Sequence, residues 1–197
     1  KVGAVVIVSS GFSETGPAGH KLEQKVKQII KKTNISLLGP NCLGFANPKL
    51  NLDITFAKAS PPKGNIALAS QSGAVGSFLF DWANKENLGF SKFLSLGNRA
   101  GLTETKILEN LKNDPDTKVI GLYLESFANG SEFLKIASQV TKTKPVIVLF
   151  GGQTEFGKTA AKSHTAALSP KSSVINTVLK QSGCIHAHSL EEFTDLL

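Results

Sequence analysis

Runs of apolar residues alternate with amphipathic segments along almost the whole chain. Residues 4–8 (Ala-Val-Val-Ile-Val) form a continuous apolar run, which is typical of a strand buried on both faces. Residues 18–32 space their apolar side chains three and four positions apart, which predicts a helix with one apolar stripe, formed by Leu22, Val26, Ile29 and Ile30. Residues 36–38 form the next short apolar run. The pattern therefore predicts two strands and one helix at the start of the sequence.

The same alternation is more complete from residue 64 onward. Apolar runs separated by amphipathic segments predict five strands, at residues 66–69, 90–96, 119–124, 146–150 and 184–187. Strands that alternate with helices predict an α/β fold, with a parallel sheet covered by helices on both faces. We expect a flavodoxin-like strand order for this part of the chain.

A stretch rich in turn residues separates the two regions. Pro48, Pro61, Pro62 and Gly64 fall between the second and third predicted strands, which places a domain boundary near residues 58–64. We therefore predict two parts. Residues 1–58 resemble the C-terminal end of one α/β domain, and residues 64–197 form the flavodoxin-like domain.

Composition narrows the class of partner. The 197 residues are 41% hydrophobic and 19% charged, which suits a compact protein, and no apolar run approaches the ~20 residues of a membrane span. No secretory signal pattern is visible, so we expect a cytoplasmic protein. The net charge of +7 favours anionic partners, but Arg99 is the only arginine, which disfavours nucleic acid. Cys42 and Cys184 do not form a disulfide framework or a zinc motif.

Ligands of open α/β sheets bind at the carboxyl ends of the strands, and residues 70–76 (Ser-Gln-Ser-Gly-Ala-Val-Gly) occupy such a position. The start of the following helix would offer free backbone N–H groups beside two hydroxyls, which is a favourable arrangement for an anion. The candidate phosphate-binding residues are Ser70, Ser72, Gly73 and Ala74. An ordinary tight turn between strand and helix is the alternative.

A second glycine-rich segment follows the strand at 146–150. Residues 152–159 satisfy the phosphate-loop pattern GxxxxGK[ST], which alone would suggest a nucleoside triphosphatase acting through Lys158. However, no other predicted strand ends in an aspartate placed to hold magnesium. We therefore keep a P-loop nucleoside triphosphatase as an alternative only.

Two further residues belong to the same edge of the predicted sheet. His164 lies among small and hydroxyl residues in a long loop, and Glu125 directly follows the strand at 119–124. A carboxylate can orient one nitrogen of an imidazole and stabilise the ring when it becomes charged. With an anion-binding helix start nearby, these are the parts of a phosphohistidine site. A solvated loop histidine and a capping or surface glutamate are the alternatives.

Five segments in order resemble the NDP-forming acyl-CoA synthetases, a family that includes ADP-forming acetate–CoA ligase and the succinyl-CoA synthetase α subunit. The resemblance covers essentially the whole chain and is stronger to the acetate–CoA ligase branch. One position departs from the family, because Ala166 follows Ser-His-Thr where glycine is usual. The segments are residues 39–44 (Gly-Pro-Asn-Cys-Leu-Gly), 64–73, 95–98, 122–125, and 151–154 with 163–165.

The resemblance implies a role for each candidate residue. It implies that His164 is the phosphorylated residue and that Glu125 steadies it. Residues 1–58 would belong to a Rossmann-like CoA-binding domain, in which Asn41 and Cys42 lie near the thiol end of coenzyme A. The phosphate site would comprise Ser70, Ser72, Gly73 and Ala74, together with Gly151 and Gly152 of a glycine-rich phosphohistidine loop.

The resemblance also implies a reaction, in which acyl-CoA, NDP and phosphate interconvert with the acid, CoA and NTP. The intermediates would be an acyl phosphate and phosphohistidine. Mg-ADP/ATP, or the guanine nucleotides, would bind an ATP-grasp part that this chain lacks, either a β subunit or a fused domain. We therefore expect an oligomer, and a chain incomplete for catalysis by itself. A CoA-sensing regulatory region of a protein acetyltransferase is the alternative from another class.

Overall fold

The computed structural model describes residues 2–58, 60–152 and 172–197. Over these ranges strands alternate with helices, as the sequence pattern predicts. The strands are β1 (Ala4–Val6), β2 (Ser36–Leu38), β3 (Phe45–Asn47), β4 (Leu52–Asp53), β5 (Lys63–Ser70), β6 (Phe90–Ser95), β7 (Val119–Leu124), β8 (Val146–Phe150) and β9 (Ile185–Ala187). The helices are α1 (Pro17–Lys31), α2 (Gly73–Lys85), α3 (Glu104–Lys112), α4 (Gly130–Val140), α5 (Ser172–Ser182) and α6 (Leu190–Leu196), with 3-10 turns at Ser13–Thr15 and Pro48–Leu50.

The larger sheet, here called the central sheet, has the strand order β4-β3-β6-β5-β7-β8-β9. All neighbours from β6 to β9 are parallel. Numbered along the chain, these five strands lie in the order 2-1-3-4-5, which is the flavodoxin-like order. The predicted fold class is therefore confirmed.

Strands β3 and β4 extend the central sheet beyond the five predicted strands. They form a short antiparallel pair, and β3 also pairs antiparallel with β6. The chain reverses between them through a 3-10 turn, where the side chain of Asn47 accepts a hydrogen bond from the N–H of Leu50 and Asn51 has φ of 52°. Strands of two and three residues are too short for periodicity to detect, so the prediction of a five-stranded sheet was incomplete.

Two hydrophobic clusters lie on opposite faces of the central sheet. One packs α3, α4 and α5 against the sheet, with Leu108, Phe133 and Leu179 fully buried. The other packs α2 and α6 against the opposite face, with Phe80 and Phe193 buried. Helices therefore cover both faces, as the alternation of strands and helices predicts.

Residues 2–42 are here called the N-terminal layer, in which β1 and β2 pair in parallel and α1 lies between them in the sequence. The prediction that residues 4–8 are buried on both faces is wrong for this structure, because Ala4 is exposed and Val5 and Val6 are only half-buried. A two-stranded sheet buries little of its own surface. Among the described residues β1 pairs with β2 alone, so its side chains stay partly open to solvent. The apolar stripe of α1 is likewise open, with Leu22 47% and Ile29 61% exposed.

Within the described ranges, no helix combines the length and the apolar character that crossing a membrane would require.

Candidate functional site

Three adjacent strands of the central sheet end at one place. Strand β5 ends at Ser70, β7 at Leu124 and β8 at Phe150, and the register aligns Ser70 with Tyr123 and Leu124 with Phe150. The residues that follow these strands therefore lie side by side. The N–H of Gly151, for example, donates a 2.7 Å hydrogen bond to the carbonyl oxygen of Leu124. The structure thus brings together the predicted anion-binding turn, Glu125 and the first glycine of the second loop.

Residues 70–74, here called the anion turn, join β5 to α2. The hydroxyl of the fully buried Ser70 donates to the carbonyl oxygen of Ser72 (2.7 Å) and accepts from the N–H of Ser72 (3.2 Å). The Ser72 hydroxyl in turn accepts from the N–H of Val75 and caps the helix. Both hydroxyls therefore shape the turn, and the N–H of Ser72 is already bonded to the Ser70 hydroxyl.

The open part of the anion turn is Gly73 and Ala74. Their N–H groups belong to the first turn of α2, where a helix supplies no backbone acceptors of its own. Ala74 is exposed, and no heavy atom lies within 4 Å of where a Cβ on Gly73 would be. The positive end of the helix dipole adds to the attraction for an anion. These two N–H groups are the ones best placed to bind phosphate.

Glu125 is half-buried beside Tyr123 and Gly151. Its backbone N–H donates a 2.7 Å hydrogen bond to the Oε1 atom of Gln71. Burial, together with the nearby charge of Glu125, raises the pKa of Tyr123 to about 12. The phenol therefore stays neutral at physiological pH, and the carboxylate of Glu125 has a protonated hydroxyl as its neighbour.

Both glycines after β8 have a structural reason to be glycine. A Cβ on Gly151 would lie 2.5 Å from the hydroxyl oxygen of Tyr123 and 3.5 Å from Cγ of Glu125, so a larger residue would displace one of these side chains. Gly152 has φ of 74°, a conformation that L-residues rarely adopt. The chain thus passes close over Tyr123 and Glu125 as it leaves β8.

The remaining residues of this part of the site lie outside the described residues. These are His164, the Ser-His-Thr triplet and Ala166, and most of the phosphate-loop pattern, including Lys158. The contact between His164 and Glu125 therefore stays a prediction.

The loop at residues 39–44, predicted to lie near coenzyme A, packs against the loop that follows β6. The N–H groups of Asn98 and Ala100 donate to the carbonyl oxygens of Pro40 and Gly39, both at 2.9 Å. Asn41 is exposed, and its Nδ2 atom donates to Oδ1 of Asn98 (3.3 Å). Residues 95–98 therefore support the predicted CoA loop.

Cys42 in this loop is a packing residue in this structure. Its side chain is buried, its Sγ donates to the carbonyl oxygen of Ile7 (3.3 Å), and burial raises the pKa of the thiol. Asn41 is thus the member of the predicted pair that is open to solvent, and a ligand contact at position 42 would use backbone atoms.

Sequence reasoning missed a polar network behind the site. Arg99 donates to Glu104 (3.0 Å) and to the carbonyl and hydroxyl oxygens of Ser126 (2.7 and 2.6 Å). Glu104 is fully buried and also accepts from the N–H of Ala128 (2.6 Å). The only sequence signal for this network is that Arg99 is the single arginine of the chain. In the sequence, Thr103 and Glu104 look like an ordinary helix start, which gives no sign that the glutamate side chain is buried.

Within the described residues, no group of three or more histidine, cysteine, aspartate or glutamate side chains is arranged to hold a metal ion.

Comparison with known proteins identifies relatives of this chain. The chain is 45% identical over 196 residues to the ADP-forming acetate–CoA ligase of Methanocaldococcus jannaschii, with all of this chain and 27% of that protein covered. It is 40% identical to the α subunit of ADP-forming acetate–CoA ligase II from Pyrococcus furiosus, with 99% of this chain and 42% of that subunit covered. The chain thus spans less than half the length of these relatives.

A solved structure agrees with the sequence relatives. This structure is the dinucleotide forming acetyl-coenzyme A synthetase 1 of Candidatus Korarchaeum cryptofilum, in complex with phosphate and ADP. The two structures superpose with a TM-score of 0.91 at 37% sequence identity, and the match covers 98% of this chain and 42% of the Korarchaeum chain. Residues 63–197 match the family model of the succinyl-CoA ligase like flavodoxin domain. The chain therefore belongs to the family of the succinyl-CoA ligase like flavodoxin domain.

Proposed function

We propose that this chain is part of an ADP-forming acyl-CoA synthetase, an acid–thiol ligase that passes a phosphoryl group through His164. The observation that carries the proposal is the meeting of the anion turn, Glu125 and Gly151 at the ends of three adjacent strands. Such a site offers positive backbone dipoles for phosphate and a carboxylate for an imidazole, and it needs no metal ligand from these strands.

The proposed reaction has three reversible steps. A phosphate oxygen attacks the thioester carbonyl, the carbon–sulfur bond breaks, and CoA leaves as an acyl phosphate forms. A neutral ring nitrogen of His164 then attacks phosphorus, and the oxygen–phosphorus bond to the acyl group breaks to release the carboxylate. Finally the phosphoryl group moves from His164 to ADP. The two relatives described above are named for acetate and ADP, which makes acetate the first acid and ADP the first nucleotide to test.

The described residues would act in the second step. The N–H groups of Gly73 and Ala74 would hold phosphoryl oxygens while the nitrogen–phosphorus bond forms or breaks. The carboxylate of Glu125 would accept a hydrogen bond from the protonated ring nitrogen of His164, aim the ring and stabilise its developing charge. Gly151 would bring the loop that leads to His164 close to Glu125, because its missing side chain allows the close approach to Tyr123.

The nucleotide would bind outside this chain. The relatives named as α subunits imply a partner subunit, and the longer relatives have room for a fused one. We propose an ATP-grasp part as that partner, and an oligomer as the working enzyme. Coenzyme A would approach along the loop at residues 39–44 and its exposed Asn41. We propose that residues 1–58 belong to a CoA-binding domain, with β3 and β4 extending from it into the central sheet of residues 64–197.

Phosphohistidine formation tests the proposal directly. The complete enzyme, with its nucleotide-binding part, is incubated with labelled ATP and Mg²⁺, and acid-labile label on the protein is measured. We expect labelling of the wild type and none of His164→Asn, because asparagine has no nucleophilic ring nitrogen. Glu125→Gln should be labelled more slowly, because an amide still accepts a hydrogen bond but supplies no negative charge.

His188→Asn is the matched control. His188 is an exposed histidine next to α6, and its loss should leave labelling unchanged. Far-ultraviolet circular dichroism establishes that each variant is folded. Full labelling of a folded His164→Asn enzyme would reject the assignment, and absence of label from the wild type would reject the proposed function.

A further inference from the structure

The side chain of Gln71 links the anion turn to the backbone around Glu125. Its Oε1 atom accepts from the N–H of Glu125 (2.7 Å) and from the N–H of Ser126 (3.2 Å). Its Nε2 atom donates to the carbonyl oxygen of Ser126 (2.9 Å). The backbone N–H of Gln71 donates to the carbonyl oxygen of Tyr123 (3.1 Å). One residue therefore bonds the chain immediately before and immediately after Glu125.

The position of Gln71 within the turn gives these bonds a second consequence. Gln71 stands between Ser70 and Ser72, whose hydroxyls shape the anion turn. A movement of the turn would therefore move the acceptor that holds the peptide of Glu125. The Gln71 side chain is therefore one of the links that set the distance between the phosphate-binding N–H groups and the backbone of Glu125.

The far side of the same loop is held by the Arg99–Glu104 pair. The carbonyl oxygen of Ser126 accepts from Arg99 as well as from Gln71, and Glu104 holds the N–H of Ala128. Arg99 and Glu104 are themselves ion-paired, with the glutamate side chain fully buried. The loop that begins at Glu125 is thus fixed from both sides, with Gln71 on the side of the anion turn.

We propose that Gln71 is a positioning residue, which fixes the Glu125 carboxylate at a set distance from the anion turn so that both act on one phosphoryl group. This inference rests on the proposed role of Glu125 and deepens it. A competing explanation is that Gln71 only holds two loops together and contributes to stability. The two explanations predict different results when Glu125 has already been changed.

A double-mutant cycle separates them. Gln71→Met keeps the length of the side chain and removes all three side-chain hydrogen bonds. In the complete enzyme we expect it to slow phosphoenzyme formation from labelled ATP by about tenfold or more, because the carboxylate is no longer held in place. In the Glu125→Gln background the same substitution should change the rate by less than about twofold, because the group it positions has lost its charge.

Gln181→Met is the control, because Gln181 is an exposed glutamine on α5 and its substitution should leave the rate unchanged in both backgrounds. If Gln71→Met fails to fold, the cycle is run with Gln71→Glu, which keeps an acceptor for the two N–H groups but has no donor for Ser126. An equal loss of rate in both backgrounds would overturn the positioning role while leaving phosphohistidine intact. Failure of the proposed function would instead be seen as a wild type that takes up no label.

Discussion

The N-terminal layer and the central sheet have similar sequence patterns but very different burial. In the central sheet all five residues of β8 and the last five of β5 are buried. In the N-terminal layer β1 has no buried residue. The helices differ in the same way, because α3 buries five residues, whereas α1 buries only Gly19 and Glu23.

The difference shows what an apolar pattern does and does not determine. A stripe of apolar residues every three or four positions favours a helix, and a run of β-branched residues favours a strand. Burial needs a second layer that packs on that face. In the central sheet α2 to α6 supply it, whereas among the described residues Leu22 and Ile29 of α1 remain 47% and 61% exposed. The pattern therefore predicts elements more reliably than it predicts cores.

The largest expected effect compares the same substitution in the two regions. Leu122 on β7 is fully buried, so Leu122→Ala should lower the free energy of unfolding by about 3–5 kcal/mol through lost burial and a cavity. Leu22→Ala on α1 should change it by about 0.5 kcal/mol or less, because 47% of Leu22 is exposed. Urea unfolding followed by circular dichroism measures both. A loss at Leu22 as large as that at Leu122 would show that the stripe on α1 is covered in solution.

One buried carboxylate connects the two regions. Glu23 of α1 pairs with Lys27 at 2.9 Å and accepts from Nδ2 of Asn98, in the loop after β6, also at 2.9 Å. Burial by itself would raise the pKa of Glu23, but the hydrogen bonds from Lys27, Asn98 and Ser13 outweigh it and the pKa is lowered. The folded state therefore favours the ionised form of this residue.

This lowered pKa sets the sign of a pH dependence. A carboxyl with a lower pKa in the folded state stabilises the fold at neutral pH, and the contribution is lost as pH falls through that pKa. We expect Glu23→Gln to cost about 1–2 kcal/mol at pH 7, and the difference from wild type to shrink as the pH falls below the usual glutamate pKa of about 4.3. Urea unfolding at a series of pH values from neutral downward tests this. Glu109→Gln, on the exposed side of α3, is the control, and a difference that stays constant as the pH falls would contradict the expectation.

Much of the fold could be predicted from the sequence, because the parallel strands carry a strong local signal. The five strands from β5 to β9 follow from apolar runs alternating with helices, and the expected flavodoxin-like order is the one observed. The hairpin of β3 and β4 could not be predicted, because it depends on pairing with β6, almost fifty residues away in sequence. Its strands are also too short to show a period.

The candidate site likewise has a part whose position could be predicted from the sequence and a part whose position could not. The anion turn and Glu125 could be predicted because they follow apolar strands, where ligands of such sheets bind. The buried state of Cys42 and the network of Gln71, Arg99 and Glu104 could not, because both depend on contacts between loops far apart in sequence. A polar residue at the start of a helix looks the same in sequence whether it is solvated or buried.

The two regions differ also in how their first long helices begin. Helix α2 starts at Ser72, which has extended backbone angles and a hydroxyl that accepts from the N–H of Val75. Helix α1 starts at Gly16, which has φ of 100° and ψ of −159°, followed by Pro17 and without a side-chain cap. Such angles are essentially restricted to glycine. The central sheet thus uses a preferred capping residue, and the N-terminal layer uses a backbone conformation that excludes one.

Substitutions at the residues where the two helices begin provide the test with the smallest expected effect. Ser72→Ala removes the cap and should lower the free energy of unfolding by about 1 kcal/mol. Gly16→Ser introduces a residue that favours helix starts, yet it should also destabilise, by about 1 kcal/mol or slightly more, because serine must adopt a glycine conformation. No atom lies within 4 Å of a Cβ at position 16, so this cost would come from the backbone and not from a clash. Thermal unfolding of both variants, with Thr103→Ala at the cap of α3 as the reference for a simple loss of a cap, measures the difference. A stabilised Gly16→Ser protein would show that α1 begins with ordinary capping geometry in solution, and that the two regions are more alike than the structure indicates.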